Sequence, residues 1–394
     1  MISIPIVALV LVGHWYLYRM FRPWLEQRLG RGAVVAALSV VAALMGGALT
    51  VVWLDNAWPD LEWLGVLPVR RVWGRWGVAS QAVSYAAGIW VGGSAAAAVA
   101  LGIAALLRRK LAPAFDPQRR ALFHNAALAT SALVPFGAVT YGTLLARTAF
   151  ELREVNFPLP DLPADLEGLR IALVTDIHFG PYLTGPELDR AIDMANEARP
   201  QLTLVTGDLI TRTGDPLDGC LARLARLRAD AGVFGCMGNH EIYADCEDLA
   251  EARARALGMD FLRRRSRLLQ FGSARLNLVG VDYQRQRRPY LARAGRLIQP
   301  GAVNLLMSHN PDVFPVAADL GYDLVVGGHT HGGQVTVEIL EQTLNIGRFF
   351  TPFVAGLYRR GRSSLYVSRG IGTINLPMRL GARPEVSLLR LRRA

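Results

Sequence analysis

Long uninterrupted apolar runs fill the first 150 or so residues, and short runs separated by amphipathic stretches fill the remainder. Residues 2–21, 33–54, 78–107 and 121–145 are each long and apolar enough to cross a bilayer as a helix. The first has no charge ahead of it and no small-residue cleavage pattern, so it reads as a retained anchor rather than a signal peptide. Small residues crowd the third (Gly88, Gly92, Gly93, Ser94), which suits close helix packing in lipid. The pattern predicts a helical transmembrane bundle of four spans over residues 1–147. A linker follows over 148–168, punctuated by Pro158, Pro160 and Pro163, and a second domain occupies 169–394.

In that second domain, β-rich apolar runs recur at 170–175, 202–206, 233–237, 276–281, 303–307, 324–326 and 364–367. Helical periodicity lies between several of them, at 186–199, 216–228 and 246–257. Strand–helix alternation implies an α/β fold with covered sheets. Polar residues cluster just past the strand ends: Asp176, Asp208, Asn239, His309 and His329. In open α/β sheets that edge is where ligands bind. Glycines beside these positions (Gly180, Gly207, Gly238, Gly327, Gly328) let the backbone turn sharply there.

Charge orients the first half. Arg22, Arg28 and Arg31 lie between runs one and two, and Arg108, Arg109, Lys110, Arg119 and Arg120 between runs three and four. The loop between runs two and three is balanced, so the positive-inside rule places the other two loops in the cytoplasm. Both termini and the second domain then fall outside. The net charge of +11 is made almost wholly with arginine and shows no aromatic-interleaved basic run, which argues against a nucleic-acid partner. Three cysteines (Cys220, Cys236, Cys246) without CxxC spacing read as buried free thiols, with one disulfide open in an oxidising compartment. No spanning carboxylate accompanies His14 or His124, so these read as interfacial or packed histidines.

The other five of the chain's seven histidines fall at His178, His240, His309, His329 and His331. With Asp176, Asp208 and Asn239 they form the ligand inventory of a site for two divalent metals, a chemistry that clamps a phosphoryl group and ionises water. Each residue alone has a plainer reading: Asp176 as a turn cap, Asn239 as a turn residue, His178 as a surface histidine. Their ordered conjunction is what argues for catalysis.

The series Asp176-x-His178, Gly207-Asp208, Gly238-Asn239-His240-Glu241, Ser308-His309 and Gly328-His329-x-His331 resembles the calcineurin-like metallophosphoesterase superfamily over residues 169–392. The segments Ser308-His309-Asn310-Pro311-Asp312, Gly332-Gly333-Gln334 and Tyr366-Val367-Ser368-Arg369-Gly370-Ile371-Gly372 resemble a membrane-associated or exported bacterial branch. The resemblance implies a two-sheet β-sandwich flanked by helices. It implies one ion on Asp176, His178 and His331, and another on Asn239, His309 and His329, with Asp208 shared through its two oxygens. Mixed donors favour Mn, Fe or Zn. A hydroxide held between the ions would be the nucleophile. His240 would serve the leaving oxygen without ligating, and Glu241 would cap or support it. Arg369 is a candidate phosphate-binding residue, whereas Arg285, Arg287 and Arg288 read as solvated loop charges.

The expected protein is therefore a multi-pass phosphoesterase of the bacterial inner membrane, with its catalytic domain outside the cytoplasm. It would act on a phosphate mono- or diester, with an amphiphilic or lipid-linked substrate among the candidates. A catalytically silent metal-binding sensor or scaffold is the alternative. A transporter with a regulatory domain lacks the intramembrane charges it would need.

Overall fold

The computed structural model describes residues 77–111, 117–284, 290–339 and 342–394, with scattered positions between 11 and 47. Two compact units divide the chain: residues 1–146 with 375–378, and residues 147–374 with 379–394.

In the first unit, helix α1 (Gly77–Leu111) packs on helix α2 (Pro117–Leu144). Gly93 explains how closely they approach: a Cβ there would lie 2.5 Å from the ring of Phe136, which Trp90 meets edge-on. Within α1, Tyr85–Leu107 is the one segment among the described residues long and apolar enough to span a membrane. The fourth expected span coincides with α2, which opens on Arg119 and Arg120 and contains Pro135. The first two fall largely outside the described residues. Of the four expected spans, the described residues thus bear out one candidate, Tyr85–Leu107.

The second unit contains two six-stranded mixed sheets and a two-stranded ribbon. The first sheet runs β1 (Glu151–Leu159), β14 (Glu385–Arg393), β2 (Arg170–Val174), β3 (Leu202–Thr206), β4 (Val233–Cys236), β5 (Asp260–Phe261). The second runs β12 (Gly356–Arg360), β13 (Ser363–Val367), β9 (Leu324–Gly327), β8 (Val303–Met307), β7 (Ala274–Gly280), β6 (Arg265–Phe271). The ribbon is β10 (Thr336–Ile339) with β11 (Gln342–Asn345).

Alternation of side chains along each strand builds the layers. Ile171 and Leu173 of β2, Leu202 and Leu204 of β3, and Leu305 and Met307 of β8 join one buried cluster between the sheets. Val174 and Val205 face the other way, onto helices α3 (Gly185–Glu197) and α4 (Leu217–Leu224). Leu306 and Val325 face a third cluster containing Phe314 of helix α7 (Phe314–Leu320). The short helices α5 (Asn239–Tyr243) and α6 (Glu247–Ala256) complete the unit. Strands covered on both faces read as continuous apolar runs, which is why they stood out in the sequence.

The expected linker over 148–168 is a correction. Residues 151–159 form β1, paired in parallel with the C-terminal strand in the register Val155↔Leu389. Of the prolines that suggested a linker, Pro158 lies in β1 and is tolerated because β1 is an edge strand, where a missing N–H costs little, and Pro160 and Pro163 follow the strand's end.

Candidate metal centre

Strands β2, β3 and β4 run parallel in one sheet, and β8 and β9 run parallel in the other. Asp176, Asp208, Asn239, His309 and the pair His329/His331 follow their carboxyl ends, so both sheets deliver donors to one rim. The turns that aim them are tight. Asp176, His178, Asp208, His329 and His331 all take left-handed backbone (φ 51°, 49°, 53°, 75° and 52°), a conformation costly for non-glycine residues and concentrated at functional sites. Gly328 is required by proximity, since a Cβ there would lie 2.0 Å from Oδ2 of Asp176.

The donor atoms converge. Nε2 of His178 faces Nε2 of His331 at 3.1 Å, and Oδ1 of Asp176 lies 3.4 Å from the latter. Oδ2 of Asp208 sits 3.0 Å from Nε2 of His309 and 3.5 Å from Nε2 of His178, between the two halves. Nδ1 of His329 faces Nε2 of His309 at 3.2 Å. Three groups of possible ligand atoms fall within 4.8 Å of one another: Asp176/His178/His331, Asp208/His309/His329 and His178/Asp208/His240.

Asp208 departs from the sharing expected of it. Its Oδ1 accepts the amide of His240 at 3.0 Å, leaving Oδ2 alone to face both halves. Arg369 is also placed differently from a phosphate clamp, since its guanidinium lies on Glu151 at 3.1 Å and Glu385 at 3.8 Å. Arg285, Arg287 and Arg288 lie outside the described residues. All three cysteines are free and buried, as expected.

Burial sets the protonation. It holds His178 down to about 3, helped by the field of His240, and His329 down to about 4, helped by His309. Burial and His178 hold His331 well below the ordinary imidazole range. Burial also disfavours a charge on His309, but the Asp208 carboxylate beside it outweighs this and raises it to about 10. Asp208 itself is held well below its ordinary value, because His309 and His240 outweigh the upward effect of burial. Burial pushes Asp176 up to about 6 against the pull of His309.

These groups fit divalent cations. Ring nitrogens and carboxylate oxygens gathered this closely are the donor types a divalent cation takes, and one cation can accept lone pairs from several of them at once. Oδ1 of Asn239 is buried without a hydrogen-bond partner, an orphan acceptor at the rim. Oxygen partners orient most of the rings from behind, as metal-binding histidines require. His309 Nδ1 donates to the Thr206 carbonyl at 2.7 Å and His240 Nδ1 to the Thr211 carbonyl at 2.5 Å. His178 Nδ1 lies 3.2 Å from the Thr211 hydroxyl, and His329 Nε2 lies 3.5 Å from the Tyr283 hydroxyl.

Residues 169–333 match the family model described as calcineurin-like phosphoesterase. The chain carries a calcineurin-like phosphoesterase domain. A transmembrane protein with metallophosphoesterase domain from Danio rerio is 30% identical over 271 residues, covering 64% of this chain and 60% of that protein. An uncharacterized metallophosphoesterase of Campylobacter jejuni is 31% identical over 245 residues, covering 61% of this chain and 63% of its own. A phosphodiesterase of Escherichia coli is 28% identical over 235 residues, covering 56% of this chain and 82% of its own. The match thus spans about 60% of the length of the first two relatives. Members of the family use divalent metals, and the phosphoesterase domain holds clustered side chains that suit them.

Three further residues take part, and two of them, Tyr283 and Arg379, escaped the sequence reading. Tyr283 follows the end of β7 (Gly280) just as the ligands follow β8 and β9, and that position was the available signal. Glu241 caps helix α5, one of the two roles expected of it, and reaches further: its fully buried carboxylate accepts the amides of Gly238 (2.7 Å), Asp208 (2.9 Å) and Leu209 (2.7 Å). Burial and the nearby Asp208 charge push its pKa up. The third, Arg379, carried no local signal.

Proposed function

We propose that the chain is an integral-membrane phosphoesterase whose phosphoesterase domain uses two divalent cations to hydrolyse phosphate mono- or diesters. One observation carries this reading. Asp176, His178, Asp208, His309, His329 and His331, from four separate strand ends, bring their donor atoms together, and the orphan Asn239 oxygen follows the end of a fifth strand. Asp176, His178 and His331 would hold one ion and Asn239, His309 and His329 the other, with Asp208 common to both. The mixed imidazole and oxygen donors favour Mn, Fe or Zn.

Bound ions supply Lewis-acid charge and acidify water toward neutral pH. The chain's own groups do the rest. Burial keeps His178, His329 and His331 neutral, with lone pairs available. His240 commits Nδ1–H to the Thr211 carbonyl, which fixes its tautomer and leaves Nε2 to handle the proton of the departing oxygen.

If all four expected runs cross the bilayer, the arginine-rich loops favour a domain on the extracytoplasmic face of a bacterial inner membrane. An amphiphilic substrate is supported by Phe349 and Phe350, which are 81% and 75% exposed. Their turn is tied to the ligand loop, because Asn345 Nδ2 donates to the Gly332 carbonyl at 2.8 Å and the Thr330 hydroxyl to the Val354 carbonyl.

The test is a turnover screen of the full chain in nanodiscs against phosphomonoesters, bis-aryl phosphodiesters and phospholipids, each with Mn, Fe and Zn. Turnover that vanishes in Asp208→Ala is expected. Bound metal without turnover of any class would favour the silent sensor. For the lipid preference, a Phe349→Ser/Phe350→Ser chain should lose about tenfold in kcat/KM on long-chain relative to short-chain diesters. Equal loss on both would remove that preference.

A further inference from the structure

Arg379 has the largest of the fully buried side chains, with 0% exposure. Burying a guanidinium is expensive unless its donors are matched. Among the described residues its hydrogen-bond partners are backbone carbonyls and one imidazole, with no carboxylate. Nε donates to Gly372 O (3.0 Å), and Nη1 to His331 O and Ala382 O (both 3.2 Å). Nη2 donates to Gly370 O (3.1 Å) and Gly372 O (2.5 Å), and lies 3.4 Å from Nδ1 of His331.

Those carbonyls belong to the backbone that shapes one half of the metal centre. The amides of Ile371 and Gly372 hold Thr175 O (3.1 Å) and Asp176 O (2.7 Å). One planar fork therefore links the turn bearing His331 to the segment that clasps Asp176. Both ligands sit at positive φ and need outside restraint to stay there. The other half is built in the opposite sense. Glu241, a buried anion, gathers the amides of Asp208, Leu209 and Gly238 around the second ion's ligands.

We infer that Arg379 is the positioning residue of the Asp176/His178/His331 half of the metal centre, bracing two ligand-bearing turns through their carbonyls. The inference rests on the two-ion reading above. Lysine keeps the charge but has no fork to span several carbonyls, so Arg379→Lys and Arg379→Gln should fail alike.

The full chain, purified in detergent, loaded with Mn and gel-filtered, is expected to hold two ions with a spin-coupled Mn pair signal. Both variants are expected to hold one ion with an isolated-Mn signal. Affinity for the second ion should fall by about 10- to 100-fold, the range for lost supports behind metal ligands. Two ions at wild-type affinity in both variants overturns the inference. Should the variants not fold, hydrogen exchange of residues 370–382 decides it. Protection there should rise with the second ion in the wild type and not in His331→Ala, and equal protection in both overturns the role. A wild-type chain that binds no ion sinks the two-ion reading and this role with it, whereas two ions in wild type and variants sinks the role of Arg379 alone.

Discussion

Nε2 of His309 lies 3.0 Å from Oδ2 of Asp208, and both side chains are buried. The two residues come from different sheets, His309 after β8 and Asp208 after β3, so the pair joins the two layers at the site. Asp208 Oδ2 also faces His178 at 3.5 Å, so it lies between the two halves. Asp208→Ala is expected to remove both ions from the isolated chain and lower turnover on the order of 10²–10³-fold or more. Metal analysis beside kinetics checks it, and a variant that keeps two ions refutes the bridging position.

Asn239 separates stability from metal binding. Its Oδ1 is buried with no partner, so in the metal-free chain it contributes no hydrogen bond to lose. Asn239→Ala should leave metal-free stability within about 1 kcal/mol of wild type. The rise in Tm on adding Mn should shrink, because an ion bound tenfold more weakly stabilises by about 1.4 kcal/mol less at saturating metal. Thermal melts with and without Mn measure both quantities. A large loss without metal would mean that Asn239 is structural.

The candidate donors stood out because chemistry and topology coincide: a strand end is where an apolar run stops, and there the polar residue is conspicuous. His309 after Met307 is such a case. Arg379 was hidden for the reverse reason. In a chain with 43 lysines and arginines, nothing local separates one buried guanidinium from its solvated neighbours. Its role arises from carbonyls at residues 331, 370, 372 and 382, which only the fold assembles. β1 was missed because Pro158 and Pro160 mimic a linker, and only its pairing with β14 shows an edge strand. In the first half, apolar length suggested four spans, and among the described residues the Tyr85–Leu107 segment of α1 has the length and composition of one.

Glu241 tests whether a buried anion can be held by amides alone. Its carboxylate accepts three backbone N–H groups, and glutamine offers one oxygen and an NH₂ that confronts the remaining donors. Leaving buried donors unmatched costs about 1–3 kcal/mol each, so Glu241→Gln should destabilise the domain by about 2–4 kcal/mol. The lost order lies at Asp208 and Asn239, so the Asn239/His309/His329 ion should bind more weakly as well. A melt unchanged from wild type would show that solvent or a proton already relieves this carboxylate.

His240 separates metal binding from proton transfer. Its ring nitrogen falls within 4.8 Å of ligand atoms of His178 and Asp208, near enough to be mistaken for a ligand. Yet the Thr211 carbonyl holds Nδ1, and the His178 ring meets its own edge-on with centroids 4.7 Å apart, so Nε2 is the atom left for a substrate. His240→Ala should therefore retain two ions while turnover falls by about 10²–10⁴-fold, the usual contribution of a general acid. The loss should depend on the leaving group. An alkoxide needs a proton as it departs and should show the full effect, whereas a nitrophenolate departs without one and should show much less. A series of phosphodiesters differing in leaving-group pKa measures this directly, as a steeper dependence of log kcat/KM on that pKa in the variant than in wild type. Parallel lines would remove the proton-transfer role, and loss of an ion would place His240 among the ligands instead.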